Sequence, residues 1–185
     1  ERAEVEKALD SIKELSFVKI RPADDRIFLH DEMYGLLQYA LDRVSDAERE
    51  RVFETLKRYY DERIEQARDE IAALYQPLAE AVLPDPVQAI TVRAHLQDAL
   101  VESLYYRLRW DAVQGFQTFF RYAEEAISAA DESLDMQLRA EMLSFLAELD
   151  PSGEADEIDG LRRAVVIADA AVRWIKRLIN AGQYD

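Results

Sequence analysis

Cysteine is absent from this sequence of 185 residues, which excludes disulfide staples and thiolate metal sites and fits a reducing, cytoplasmic compartment. Long apolar runs are missing too. No stretch of about 18 apolar residues occurs, so nothing reads as a membrane span, and no signal-peptide pattern is visible. Basic excess is lacking: 38 acids stand against 23 bases, for a net charge of −15. Binding to a phosphate backbone needs clustered cations that release counterions, so nucleic acid is disfavoured as a partner and the acidic surface reads as a solubilising one. Catalytic vocabulary is thin. There are two histidines, His30 and His95, no Gly-rich phosphate loop, no Gly-Lys-Ser or Gly-Lys-Thr, and no His-x-x-x-His pair. An enzyme in its own right is therefore the least supported reading.

Glycine and proline are scarce, five of each, against 49% hydrophobic and 33% charged residues. That composition favours helix. A chain this long buries roughly 70% of its unfolded surface, enough for one good core or two small ones. The sequence opens on Glu1 and closes on what resembles the middle of a repeat, so we read it as an internal fragment of a longer protein.

Residues 1–15 carry Val5, Ala8, Leu9, Ile12 and Leu15 on one helical face. A hairpin signal then spans 16–31: Phe17-Val18-Lys19-Ile20 and Arg26-Ile27-Phe28-Leu29 are β-rich, with the turn cluster Pro22-Ala23-Asp24-Asp25 between them. Asp31 is a natural cap for a further helix through Met33, Leu36, Leu37, Ala40, Leu41 and Val44. Gly35 inside it suggests a close packing contact. Ser45 and Glu48 form a capping box that opens a long helix to about Tyr75. Val82-Leu83-Pro84-Asp85-Pro86 is the clearest linker, and Asp85 followed by Pro86 is a cap with proline at the first helical position. A domain boundary is expected here or near Val44.

Helices succeed one another from Val87. Leu96, Leu100, Leu104 and Leu108 make one stripe. Asp111 opens the next helix, with Phe116, Phe120, Ala123 and Ile127 as its apolar face. Leu134, Leu138, Met142, Phe145 and Leu149 carry another. An acidic loop is expected over 150–160, and its acids Glu154, Asp156, Glu157 and Asp159 read as solvated rather than cation-binding, because no EF-hand spacing is present. The last helix is expected over 161–181, with Val165, Val172, Ile175 and Ile179 inward. His95, between Ala94 and Leu96, reads as a partly exposed polar residue. Tyr105, Tyr106, Trp110, Phe116, Phe119 and Phe120 are core residues or the lining of a peptide groove.

Two stretches resemble a known family. Helix, two-stranded hairpin and helix over 1–44 resemble the C-terminal part of the winged-helix domain of STAND NTPases of the NB-ARC and AP-ATPase type. Leu29-His30-Asp31 matches that family's motif at the strand-to-helix junction. Trp174 to Asp185, with its Gly182-Gln183-Tyr184, resembles the turn between the two helices of a tetratricopeptide repeat, with Ala171 where the usual Trp would stand.

The resemblance implies a mainly α protein: the end of a winged helix with one β-hairpin (1–44), a helical connector and linker (45–86), and a tetratricopeptide-like α-solenoid (87–185). It implies a regulatory segment that couples a protein ligand on the repeats to an upstream nucleotide-binding domain. His30 would contact the phosphate of ADP, Asp31 would steady the junction, and the parent would oligomerise on activation. ADP, ATP and Mg would belong to the parent; this segment, lacking the P-loop, would hold no cofactor. The alternatives are a helical-repeat scaffold without nucleotide linkage and a winged-helix transcription regulator, the second opposed by the acidic balance.

Overall fold

The computed structural model describes strands 18–21 and 26–29 and residues 44–76, 85–149, 156–158 and 160–182. Two compact units are present, Glu1–Arg51 and Val52–Asp185. In the first, β1 (Val18–Arg21) pairs antiparallel with β2 (Arg26–Leu29), with Val18 opposite Leu29 and Arg21 opposite Arg26. The helices expected over 1–15 and 31–44, and Gly35 with them, lie outside the described residues.

The described part is mainly helical. Its five helices are α1 (Asp46–Tyr75), α2 (Pro86–Trp110), α3 (Ala112–Ser128), α4 (Glu132–Leu149) and α5 (Arg163–Asn180). Each of the first four starts on a side chain that satisfies otherwise orphaned backbone N–H groups. At α1 the Ser45 N–H donates to Glu48 Oε2 (3.2 Å) and the Glu48 N–H to Ser45 Oγ (3.4 Å). The Ser45 hydroxyl bond holds the Glu48 carboxyl below the usual carboxylate range. At α2, Asp85 Oδ1 accepts from the Val87 N–H, with Pro86 at the first turn. Asp111 ends α2 and caps α3, accepting from the Gln114 N–H at 3.0 Å while Gln114 Nε2 returns to its other oxygen. Asp131 caps α4 through the Leu134 N–H. Between α3 and α4, Ala130 takes the left-handed conformation at φ 52°. It lets the Asp131 N–H reach back to Ala126 O, closing the helix end as glycine usually does.

One core joins α2, α3 and α4. Leu100, Leu104 and Leu108 of α2, Phe119, Tyr122, Ala123 and Ala126 of α3, and Leu138, Met142, Phe145 and Leu146 of α4 are all buried in it. Ile64 of α1 and Val166 of α5 join it from the outside. The proline-punctuated stretch 77–84 therefore connects two helices of one packed unit, since α1 lies along α2.

Three expectations about faces are corrected. Phe120 is 47% exposed and Phe119, at 1%, takes its place in the core. Leu149, in the last turn of α4, is about half exposed. On α5 the assignment is inverted: Val165, Val172, Ile175 and Ile179 are about half exposed, while Val166, Ala170 and Arg173 are buried. The physical reason for the inversion is a charge cluster around Arg173, which holds that side chain inward. The last helix also starts two residues later than expected. Glu157–Ile158 (β3) pairs with Leu161–Arg162 (β4) around Gly160, where a loop is expected from the sequence. No described helix is long and apolar enough to cross a membrane.

Where α2 meets α3 the backbones nearly touch. A Cβ on Gly115 would stand 2.5 Å from Leu108 Cα and 2.7 Å from Leu108 N. Alanine in place of helical glycine ordinarily stabilises by up to about 1 kcal/mol. Here the rigid backbone opposite reverses the sign, and Gly115→Ala is expected to destabilise by about 1–3 kcal/mol. The midpoint of urea unfolding checks it; an unchanged or raised midpoint would show that α2 and α3 can separate freely.

Candidate functional site

His30 and Asp31, the residues singled out for nucleotide sensing, lie outside the described residues, one and two positions beyond the end of β2. Glu154 and Asp159 of the acidic cluster lie outside as well, and Asp156 and Glu157 are exposed. Among the described residues no group of three or more His, Asp or Glu is placed to hold a metal ion.

His95 is exposed on α2 and borders a cleft of about 280 Å³ whose other lining residues, Tyr59, Arg63, Gln66, Ala67 and Glu70, all come from α1. The polar groups on that side satisfy one another along the helix. Arg63 donates to the Tyr59 hydroxyl at 2.7 Å, and Gln66 to Glu70 at 2.9 Å. His95, Arg63 and Glu70 line one shallow cleft, and Arg63 and Glu70 are already engaged along α1, which suits a surface polar patch better than proton transfer at a reacting atom.

The aromatic residues do not form one groove. Phe53 stacks on Trp110 at 4.5 Å, and Tyr60 on Tyr106 at 5.5 Å, so Trp110 and Tyr106 belong to the α1–α2 seam. Tyr105 faces outward under the Arg109 guanidinium, 3.6 Å from its ring centre. Phe119 is core, Phe116 is half-buried against it, and Phe120 lies at the α3–α5 seam. In the α1–α2 seam the Tyr60 hydroxyl donates to Glu102 at 2.6 Å. Burial first, and the carboxylate partner second, push the Tyr60 phenol far above its usual value.

The α3–α5 seam is built on charge. Arg173 is 2% exposed. Its Nε donates to Asp169 at 2.6 Å, its Nη1 to Glu124 at 2.8 Å and to Phe120 O at 3.2 Å, and its plane lies 3.7 Å from the Phe120 ring centre. Lys176 also reaches Glu124, at 3.0 Å. The Glu124 carboxyl is held below the usual range, the Lys176 hydrogen bond contributing most and Arg173 adding to it. A buried guanidinium must keep all these partners, and that requirement turns α5 so that Arg173 faces inward. The α4–α5 side is similar. Arg177 pairs with Glu132, and Trp174 lies between Arg139 and Arg177, 4.7 and 4.3 Å from its ring centre. With this inner face committed, the outer face of α5 is left apolar, with no described residue covering it. Sequence reasoning assigns that stripe to the core; the one signal against it is Arg173, which has to face either water or a set of acids.

Comparison with protein-family models, curated proteins and solved structures finds nothing that matches this chain.

The two charged seams give measurable consequences. Above about pH 10 the unfolded chain releases the tyrosine proton while folded Tyr60 retains it. Stability conferred by Tyr60 is therefore intact below that pH and lost as pH rises beyond it, by up to about 1.4 kcal/mol per pH unit. Urea unfolding of wild type and Tyr60→Phe on both sides of that pH should show the steeper alkaline loss in wild type; parallel losses would remove the effect. Arg173→Met keeps the stem and strands the acids, and is expected to cost about 2–4 kcal/mol in the same assay. A loss under about 0.5 kcal/mol would make the cluster a surface-type ion pair.

Proposed function

We propose that this chain is a regulatory segment of a signal-transducing ATPase of the STAND type, working by contact rather than by chemistry of its own. In this reading His30 and Asp31 sit at the end of a winged helix against an upstream nucleotide-binding domain. The helical region receives a protein ligand. An imidazole can donate to a phosphate oxygen, and a bound phosphate would favour its protonated form. Loss of that contact would free the ATPase core to exchange nucleotide and oligomerise, a two-state switch biased from both ends. Nucleotide and Mg would be held by the upstream domain, and the protein would work in the cytoplasm.

Support comes from the Leu29-His30-Asp31 tripeptide, which begins on the last residue of the paired strand β2. The turn after α5 adds to it: Gly182 there adopts φ 72° and its N–H reaches Ile179 O at 3.0 Å, the ending expected ahead of a second repeat helix. The observation that carries the contact half of the proposal is the apolar face of α5 that no described residue covers. That same face favours a second reading, a helical interaction scaffold with no nucleotide linkage.

Identification of the nucleotide released when the full-length parent is denatured separates the two. ADP from wild type and little from His30→Ala is the expected result. Nucleotide in neither protein leaves the scaffold reading. Equal ADP in both keeps the ATPase assignment and removes His30 from the switch.

A further inference from the structure

The seam that joins α1 to α2 differs in kind from the seams among the other described helices. Of the 30 residues of α1 four are buried, Phe53, Tyr60, Ile64 and Ala67, against eight of the 17 in α3. Of those four, Ile64 alone enters the core of α2, α3 and α4. Close backbone approach joins α2, α3, α4 and α5, whereas α1 reaches α2 mainly through long side chains. Those side chains are polar or aromatic. The Tyr60 hydroxyl donates to Glu102 at 2.6 Å, and Arg107 donates to Asp61 at 2.6 Å and to Ser103 at 3.1 Å. Phe53 on Trp110 and Tyr60 on Tyr106 are the two ring stacks.

What opening costs follows from that chemistry. Parting two leucine faces exposes hydrocarbon and recovers nothing. Parting this seam exposes the ring stacks and Ile64, but the Tyr60 hydroxyl, Glu102, Asp61 and Arg107 exchange one another for water, which returns the solvation they gave up on docking. Regions with few buried apolar contacts open at free energies below that of global unfolding. The body left behind is complete without α1, since Leu104, Leu108, Phe119, Leu138, Met142 and Phe145 build one core across α2, α3 and α4. α1 starts at Asp46, in the first unit, and ends at Tyr75, in the second, so the chain passes from one unit to the other within it. We propose that α1 is a releasable strap: residues 52–75 leave α2 together while α2 to α5 stay packed, and Glu102, Tyr106 and Trp110 are bared. The strap is then the covalent route by which a change in the first unit alters the second. It is independent of the ATPase reading and stands under either proposed function.

The test is native-state hydrogen exchange on the full chain, read by mass spectrometry. Amides of 55–72 should be protected about thirtyfold less, or weaker still, than those of 100–108, 119–126 and 138–146. They should also share one dependence on added urea, the mark of a stretch that opens as a unit. Ile64→Ala weakens the seam and leaves the body's own core whole. It should lower protection throughout 55–72 by about tenfold or more and leave the other three stretches unchanged. Leu138→Val removes one methylene from the body, a loss the fold tolerates. It should lower protection of the three body stretches by about threefold or more and leave 55–72 unchanged. The proposal is overturned if 55–72 is protected as well as the body, or if protection merely tapers from the ends of α1, as fraying would give. It is overturned equally if each variant lowers all four stretches alike, which would make α1 part of one cooperative unit. Exchange and nucleotide release are read in separate assays, so either proposal can fail alone.

Discussion

Asp111 ends one helix with its backbone N–H on Arg107 O and begins the next with its carboxylate on the Gln114 N–H. A single residue thus turns the chain back on itself, and α2 and α3 must separate from a common point. They can run side by side only if something small stands at the first crossing, which is why Gly115 meets the backbone of Leu108. The other described helices of the second unit are placed against this pair. α4 returns through the Ala130 turn to close the core, α1 lies along the outer side of α2, and α5 lies along α3.

Arginines bridge the helix seams of an acidic chain. Arg107 reaches Asp61 between α2 and α1, and Arg109 reaches Glu141 between α2 and α4. Arg68 reaches Glu125 between α1 and α3, and Arg173 reaches Glu124 between α5 and α3. Surface pairs such as Arg68–Glu125 contribute on the order of 0–1 kcal/mol. Arg173 differs because its guanidinium is nearly sealed from water, so the bonds it makes select one rotation of α5 over the others. That choice, rather than hydrophobicity, decides which side of the helix is buried.

Local signals in the sequence carried well into the structure. Ser45 with Glu48, Asp85 with Pro86, and Asp111 with Gln114 each mark a helix start where the backbone needs one, because capping is a short-range effect readable from a few residues. The leucine stripe of α2 was legible for the same reason. Faces were harder. Phe119 and Phe120 differ by one position, and only packing against α2 and α4 decides between them. α5 is apolar over more than half its circumference, so periodicity alone could not say which arc is inside. The short β3–β4 pairing was not legible, because the acids of 150–160 read as an open loop. Of the candidate site, the strand before His30 was legible; the role proposed for that histidine depends on a phosphate held by another domain, which no local pattern encodes.

The single-residue joint at Asp111 also limits how this unit can vary. Each residue added to a helix rotates the chain beyond it by about 100°. One extra residue between Trp110 and Ala112 would swing the Phe119 face of α3 out of the core and break the alignment of Gly115 with Leu108. Length change is therefore shut out of the α2–α3 joint except in steps of nearly whole helical turns. Insertions and deletions in related chains should instead collect away from it, and the distance from Asp111 to Gly115 is a fixed ruler by which such chains could be aligned.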